Sequence, residues 1–169
     1  FTPYMHGTKV KKAPQEYDTL FCINALHPTK DLNPEREYHS EDRPRRADHN
    51  VVSFRNFLIE LDSMPLNEQI KYVTEKVPVS AITYSGGKSF HFIISLTEPL
   101  ANLDEYKLLA LRLHALLQKA DKSTKNPSRL SRLANAFRPD TQKEQTLVQL
   151  NDRVRSEEHT SELQSLAYL

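Results

Sequence analysis

An α+β domain with the element order β-α-β-β-α-β is what this sequence predicts, and three observations carry that prediction. Two apolar, strand-like runs flank a pair of glycines; a short helical pattern opened by a proline precedes them; a long amphipathic pattern follows them. This order is that of a ferredoxin-like or RNA-recognition-motif-like unit carrying an N-terminal extension.

The elements follow in order. Residues 1–53 are rich in Pro, Lys and Arg and read as an arm or long loop, with one apolar run, Leu20 to Leu26, able to form an accessory strand. Cys22 in that run is the only cysteine. It reads as a small buried hydrophobe, and a lone cysteine makes neither an intramolecular disulfide nor a Cys-based zinc site, which fits a reducing cytoplasm. RNFLIELDS, 55–63, reads as a strand, and PLNEQIKYVTEK, 65–76, as a helix with Ser63 as its cap and Pro65 in its first turn. VSAITYS, 79–85, and SFHFIISL, 89–96, are two strands joined by GGK, a hairpin signal. LDEYKLLALRLHALLQKA, 103–120, reads as a helix started by Asn102 with Glu105 three positions on, and ending at Asp121. A last strand, QTLVQL at 145–150, follows an irregular Arg-rich segment. The core domain is therefore placed at 54–150, with a tail over 151–169.

Both ends bear on what can be inferred. The chain opens on Phe1 without an apolar leader and reads as a fragment of a longer frame. Residues 155–165, RSEEHTSELQS, resemble translated sequencing-library adapter, so 155–169 are set aside as non-native. That stretch holds one arginine against three glutamates, so the chain, formally +1 at pH 7, is mildly basic without it. Such a balance is compatible with nucleic acid without demanding it. No run approaches the ~18 apolar residues of a membrane span, so no membrane association is expected.

In the predicted topology the first and third strands are antiparallel neighbours at the sheet centre, which brings IELD beside SFH. The GGK turn lies at the same edge, and the chain returns there after Ala120. Side chains alternate along strands, so Glu60 and Asp62 share a face, as do Ser89 and His91. Two carboxylates at i and i+2 with a third, Asp121, from elsewhere form the oxygen donor set that Mg²⁺ or Mn²⁺ requires. A polar, solvated strand end is the plainer reading of Glu60 and Asp62. Ser85, Gly86, Gly87, Lys88 and Ser89 suit a phosphate: the glycines admit positive φ and leave N–H groups unobstructed, while Lys88, Ser89 and His91 add charge and donors. A plain hairpin would account for the glycines alone. Beyond Asp121, Arg129 and Arg132 stand at i and i+3, and a short helix there would present both guanidinium groups on one face. A solvated basic loop is the ordinary alternative.

Taken in order, FLIELD, YSGGKSFH and DKSTKNPSRLSRL resemble the three motifs of the archaeo-eukaryotic primase superfamily, in particular its primase-polymerase members from phages and mobile elements. The resemblance covers about residues 50–140. It implies template-directed nucleotidyl transfer with two divalent ions, Mg²⁺ or Mn²⁺, on Glu60, Asp62 and Asp121. His91 and Ser89 would contact the incoming nucleotide's phosphates, with Lys88, Arg129 and Arg132 around it. The implied partners are a single-stranded DNA template, nucleoside triphosphates and, in a full-length protein, a helicase domain. Two departures stand out: Glu60 replaces the usual aspartate, and Ala134-Asn135 stand where relatives often carry Pro-Gly. His91→Ala is expected to weaken nucleotide binding while barely changing stability. Two further readings of the same fold are a non-catalytic nucleic-acid-binding module and a metal-dependent phosphoesterase.

Overall fold

The computed structural model describes residues 20–28, 32 and 46–151. Most of the expected arm and the adapter-like tail lie outside the described residues. Seven strands and two helices follow in the order β1 (Leu20–Cys22), β2 (Phe54–Glu60), α1 (Leu66–Thr74), β3 (Ala81–Tyr84), β4 (Phe90–Leu100), α2 (Leu103–Leu116), β5 (Leu130–Arg132), β6 (Ala136–Arg138) and β7 (Lys143–Leu150). The predicted β-α-β-β-α-β series is thus present as β2, α1, β3, β4, α2 and β7, with a small antiparallel pair, β1 and β5, beside it.

One face of the sheet forms the core. Phe57, Ile59 and Leu61 from β2 and the chain just after it, Ile82 from β3, and Phe92, Ile94 and Leu96 from β4 are all buried. They cluster with Val73 of α1 and Tyr106, Leu109 and Leu113 of α2. The alternating positions Leu58 and Glu60, Thr83, and His91 face the other way. That alternation is what gives this sheet one apolar and one chemically active side.

Helix ends follow their local chemistry with two corrections. Asn102 caps α2, accepting from the N–H groups of Asp104 (3.0 Å) and Glu105 (2.9 Å), as its side chain favours. The helix stops at Leu116 rather than running to Asp121. Asp121 instead caps a short 3-10 turn, Lys122–Lys125. Ser63 does not cap α1; Pro65 occupies the cap position without a side-chain bond, since a proline pre-sets the entry φ there.

The sheet order is β2-β4-β3-β7-β6, antiparallel throughout. The expected pairing of first and third strands holds, with Glu60 opposite His91. However, β2 lies at the sheet edge rather than its centre, and the last strand adds beside β3. The reason is visible on β2's outer edge. Buried Asn24 accepts from the N–H groups of Arg55 (3.0 Å) and Asn56 (2.8 Å) and donates to Asn56 O (2.9 Å). Asp121 N–H donates to Glu60 O at 2.8 Å. Edge groups at Arg55, Asn56 and Glu60 that a further strand would use are thus already bonded. Among the described residues no helix is long and apolar enough to cross a membrane.

Candidate functional site

The three predicted segments do meet. The β3–β4 hairpin closes with Ser85 N–H on Ser89 O at 3.1 Å, which puts the GGK turn beside the end of β2. Gln69, fully buried on α1, joins the two: its Nε2 donates to Leu61 O (3.1 Å), Met64 O (2.7 Å) and Lys88 O (3.1 Å), and its Oε1 accepts from Phe90 N–H (2.9 Å). The carboxylate-bearing strand end and the turn are thereby tied through a single amide.

Between them opens a cleft of about 430 Å³. Glu60 and Asp62 line one part of it, Ser85 and Ser89 its floor, and Lys88 and Arg132 its rim. Two more residues line the cleft: Arg138, which the sequence offers only as one of the basic run beyond Asp121, and Thr141, which it does not single out. Arg138 is held by Asp140 (Nε–Oδ1 2.7 Å, Nη2–Oδ2 2.8 Å) and donates through Nη1 to Ser85 O at 3.2 Å. Its guanidinium lies across the turn. A Cβ on Gly87 would fall 2.8 Å from Arg138 Nη1, and one on Gly86 would fall 3.4 Å from Arg138 Cβ. Of these two glycines, Gly86 takes positive φ, at 69°. Its place in that basic run is the only local signal for Arg138, since it reaches the turn from β6, more than forty residues further on.

His91 is buried at 5% exposure, and its protonation follows from its partners. Nδ1 accepts from Arg132 N–H at 3.2 Å and lies 3.2 Å from Ser131 Oγ, so the ring proton sits on Nε2. Burial, reinforced by Arg132, pushes its pKa down to about 3. Nε2 stands 3.7 Å from Glu60 Oε2. With a neutral ring this is no ion pair; it leaves an N–H donor facing the cleft.

Burial raises the Glu60 carboxyl's pKa; Arg129 opposes this, while Asp62 and Asp121 add to it. A buried carboxylate beside two others is a setting that a cation relieves. At Asp62 a side-chain cation does so: Lys88 Nζ lies 3.0 Å from Oδ2. Glu60 and Asp62 therefore fit a hard divalent ion in donor type and in sharing one cleft. The third expected ligand is placed differently. Asp121's backbone lies beside Glu60, but its Oδ1 accepts from Ser123 N–H (2.9 Å) and its Oδ2 from Ser123 Oγ–H (2.7 Å). These bonds hold its pKa below the usual carboxylate range. Among the described residues no three His, Cys, Asp or Glu side chains are gathered closely enough to hold a metal ion as they stand. Arg129 and Arg132 are not on a helix, and Arg129 does not reach this cleft.

The fold has a solved counterpart. The chain is similar to the solved AEP domain of cyanophage S-2L primase-polymerase (PrimPol), with a TM-score of 0.61 and 22% sequence identity, covering 72% of this chain and 64% of that one. No family model and no curated protein matches it. At that identity the likeness shows the fold, which bears out the resemblance read from the three motifs at that level. One departure noted in the sequence has a structural account: Asn135, at the position that the resemblance gives to glycine, takes φ of 61° and donates its N–H to Gln145 O at 2.6 Å. Asparagine tolerates the left-handed region better than most side chains.

Proposed function

We propose that the protein is a template-directed nucleotidyltransferase, a DNA primase or polymerase serving replication of a phage or mobile element. The observation that carries this reading is one cleft that gathers Glu60 and Asp62 with Lys88, Arg132 and Arg138 around buried serine hydroxyls. In the reaction the 3′-oxygen of a strand forms a bond to the α-phosphorus of a nucleoside triphosphate. The bond from that phosphorus to the bridging oxygen breaks, pyrophosphate leaves, and the hydroxyl proton passes to water. Lys88, Arg132 and Arg138 hold the triphosphate's charge, and the hydroxyls of Ser85 and Ser89 with His91 Nε2–H donate to its oxygens. Glu60 and Asp62, joined by Asp121 turning from Ser123, would hold Mg²⁺ or Mn²⁺, two ions that neutralise the leaving group and acidify the 3′-hydroxyl.

The non-catalytic binding module fits less well. It requires aromatic rings on the open sheet face, whereas Phe92 is fully buried in the core and Phe90 packs beside it on the helix side. The test is primer extension on single-stranded DNA with Mg²⁺ or Mn²⁺. Wild type should extend the primer and Asp62→Ala should lose at least about a hundredfold in rate; undiminished extension by the variant would remove the carboxylates from the mechanism.

A further inference from the structure

Helix α2 carries leucines on both of its sides. Leu109 and Leu113 are buried in the core, whereas Leu108 and Leu111 stand 45% and 54% exposed on the outer side. With Ala115 they fall at i, i+3 and i+7, one stripe along the helix. A contiguous apolar stripe on an outer face marks a surface that something covers. The stripe runs into a cleft of about 240 Å³, at the point where the chain leaves α2 for the 3-10 turn Lys122–Lys125. Leu111 and Ala115 line this cleft together with His114, Lys122 and Lys125.

Two further observations bear on what covers it. Neither Lys122 nor Lys125 has an ion pair among the described residues. The neighbouring carboxylate, Asp121, is taken up by Ser123 N–H and Oγ–H. The second observation is His114. Thr124 Oγ–H donates to Asp121 O at 2.8 Å, so the hydroxyl oxygen accepts from His114 Nε2–H at 3.4 Å. Nδ1 is then an acceptor, and it is buried without a hydrogen-bond partner. Burial, with Lys125 adding to it, lowers the pKa of this ring to about 4, so the acceptor persists at neutral pH. Lysines beyond a helix C-terminus complement its dipole, but that accounts for neither the outer leucines nor the unpartnered nitrogen.

We propose that the outer face of α2 and this cleft dock an acidic, apolar segment of a partner protein. Its apolar side chains lie on Leu108 and Leu111, its carboxylates reach Lys122 and Lys125, and one of its N–H groups donates to His114 Nδ1. From Leu108 to Ala115 the stripe spans about 10 Å of helix, which suits a short peptide motif rather than the face of a whole domain. A nucleic-acid strand fits less well. Its phosphates bring acceptors, which an Nδ1 lone pair cannot bind, and no aromatic ring lines the cleft to stack a base. Docking here does not depend on nucleotidyl transfer.

Selection from a random peptide library displayed on phage, with the wild-type protein as bait, tests this, followed by fluorescence anisotropy of the selected peptides. Sequences that combine Leu, Ile or Phe with several Asp or Glu should be enriched. Lys122→Glu and Lys125→Glu should each weaken peptide binding about tenfold, and Leu111→Ser by a similar factor. Lys71→Glu, the same charge reversal at an exposed position of α1, should leave binding within about twofold of wild type. A library that enriches no such sequence, or peptides that Lys122→Glu binds as tightly as wild type, would overturn the proposal. Displacement of the peptide by an equal concentration of single-stranded oligonucleotide would assign the surface to nucleic acid. A dimer in sedimentation velocity that Leu111→Ser dissociates would assign it to a second copy of this chain. Either result overturns the partner-segment assignment as well.

Discussion

Gly86 and Gly87 are adjacent and answer to different constraints. Gly86 needs positive φ, so Gly86→Ala should cost about 1–2 kcal/mol in urea denaturation. Gly87 leaves room for the Arg138 guanidinium, the far end of a flexible side chain. Gly87→Ala should therefore change stability by less than about 0.5 kcal/mol while displacing Arg138 and weakening nucleotide binding about tenfold; unchanged affinity would take Arg138 off the triphosphate. His91 corrects the expectation that its removal is harmless to the fold, because it is buried and accepts the Arg132 N–H. Its native pKa of about 3 lies below the unfolded value near 6.5. As pH falls below about 6.5 the unfolded chain binds a proton that the native ring refuses, so stability falls with falling pH until the native ring titrates near 3. The slope from this one group approaches about 1.4 kcal/mol per pH unit. His114, lowered to about 4 by burial, acts in the same sense, and the raised Glu60 carboxyl opposes both at lower pH. Denaturation of the metal-free protein between pH 6.5 and 5 should thus show a shallower slope in His91→Gln than in wild type; equal slopes would contradict the neutral ring.

At the scale of elements, local patterns were legible and long-range pairings were not. The alternation in FLIELD and SFHFIISL, the GGK turn and the Asn102 cap are encoded within a few residues, and they stand where the sequence places them. The Arg-rich segment is an extended strand rather than the short helix that its i, i+3 spacing suggests. Here β1 recruits residues 130–132 as a strand, a partner more than a hundred residues away. Gln69 gave no signal for a related reason: a glutamine on a helix becomes a cross-link only when the turn at Lys88 arrives beside it. Replacing it by methionine, similar in size, leaves Phe90 N–H and three carbonyls without this partner. Gln69→Met should cost about 3 kcal/mol in denaturant unfolding. Where it is still folded, kcat should fall about 10- to 100-fold with KM changing less, because the spacing between the carboxylates and the turn is lost. An unchanged kcat would reduce Gln69 to a purely structural role.

At the scale of the molecule, the sheet divides labour between its faces. Helices α1 and α2 cover one side, which makes the fold cohesive. On the other, the cleft opens at Glu60 and His91. Asn24 and Asp121 bond part of the β2 edge, while the last strand lies beside β3 and carries β6, whose Arg138 reaches the GGK turn. Product analysis shows whether this cleft transfers a nucleotidyl group. With primed single-stranded DNA, Mn²⁺ and a nucleoside triphosphate, the protein should release one pyrophosphate for each nucleotide added to the strand, and Asp62→Ala should release it at least about a hundredfold more slowly. Inorganic phosphate without strand growth, or binding without turnover, would contradict the account.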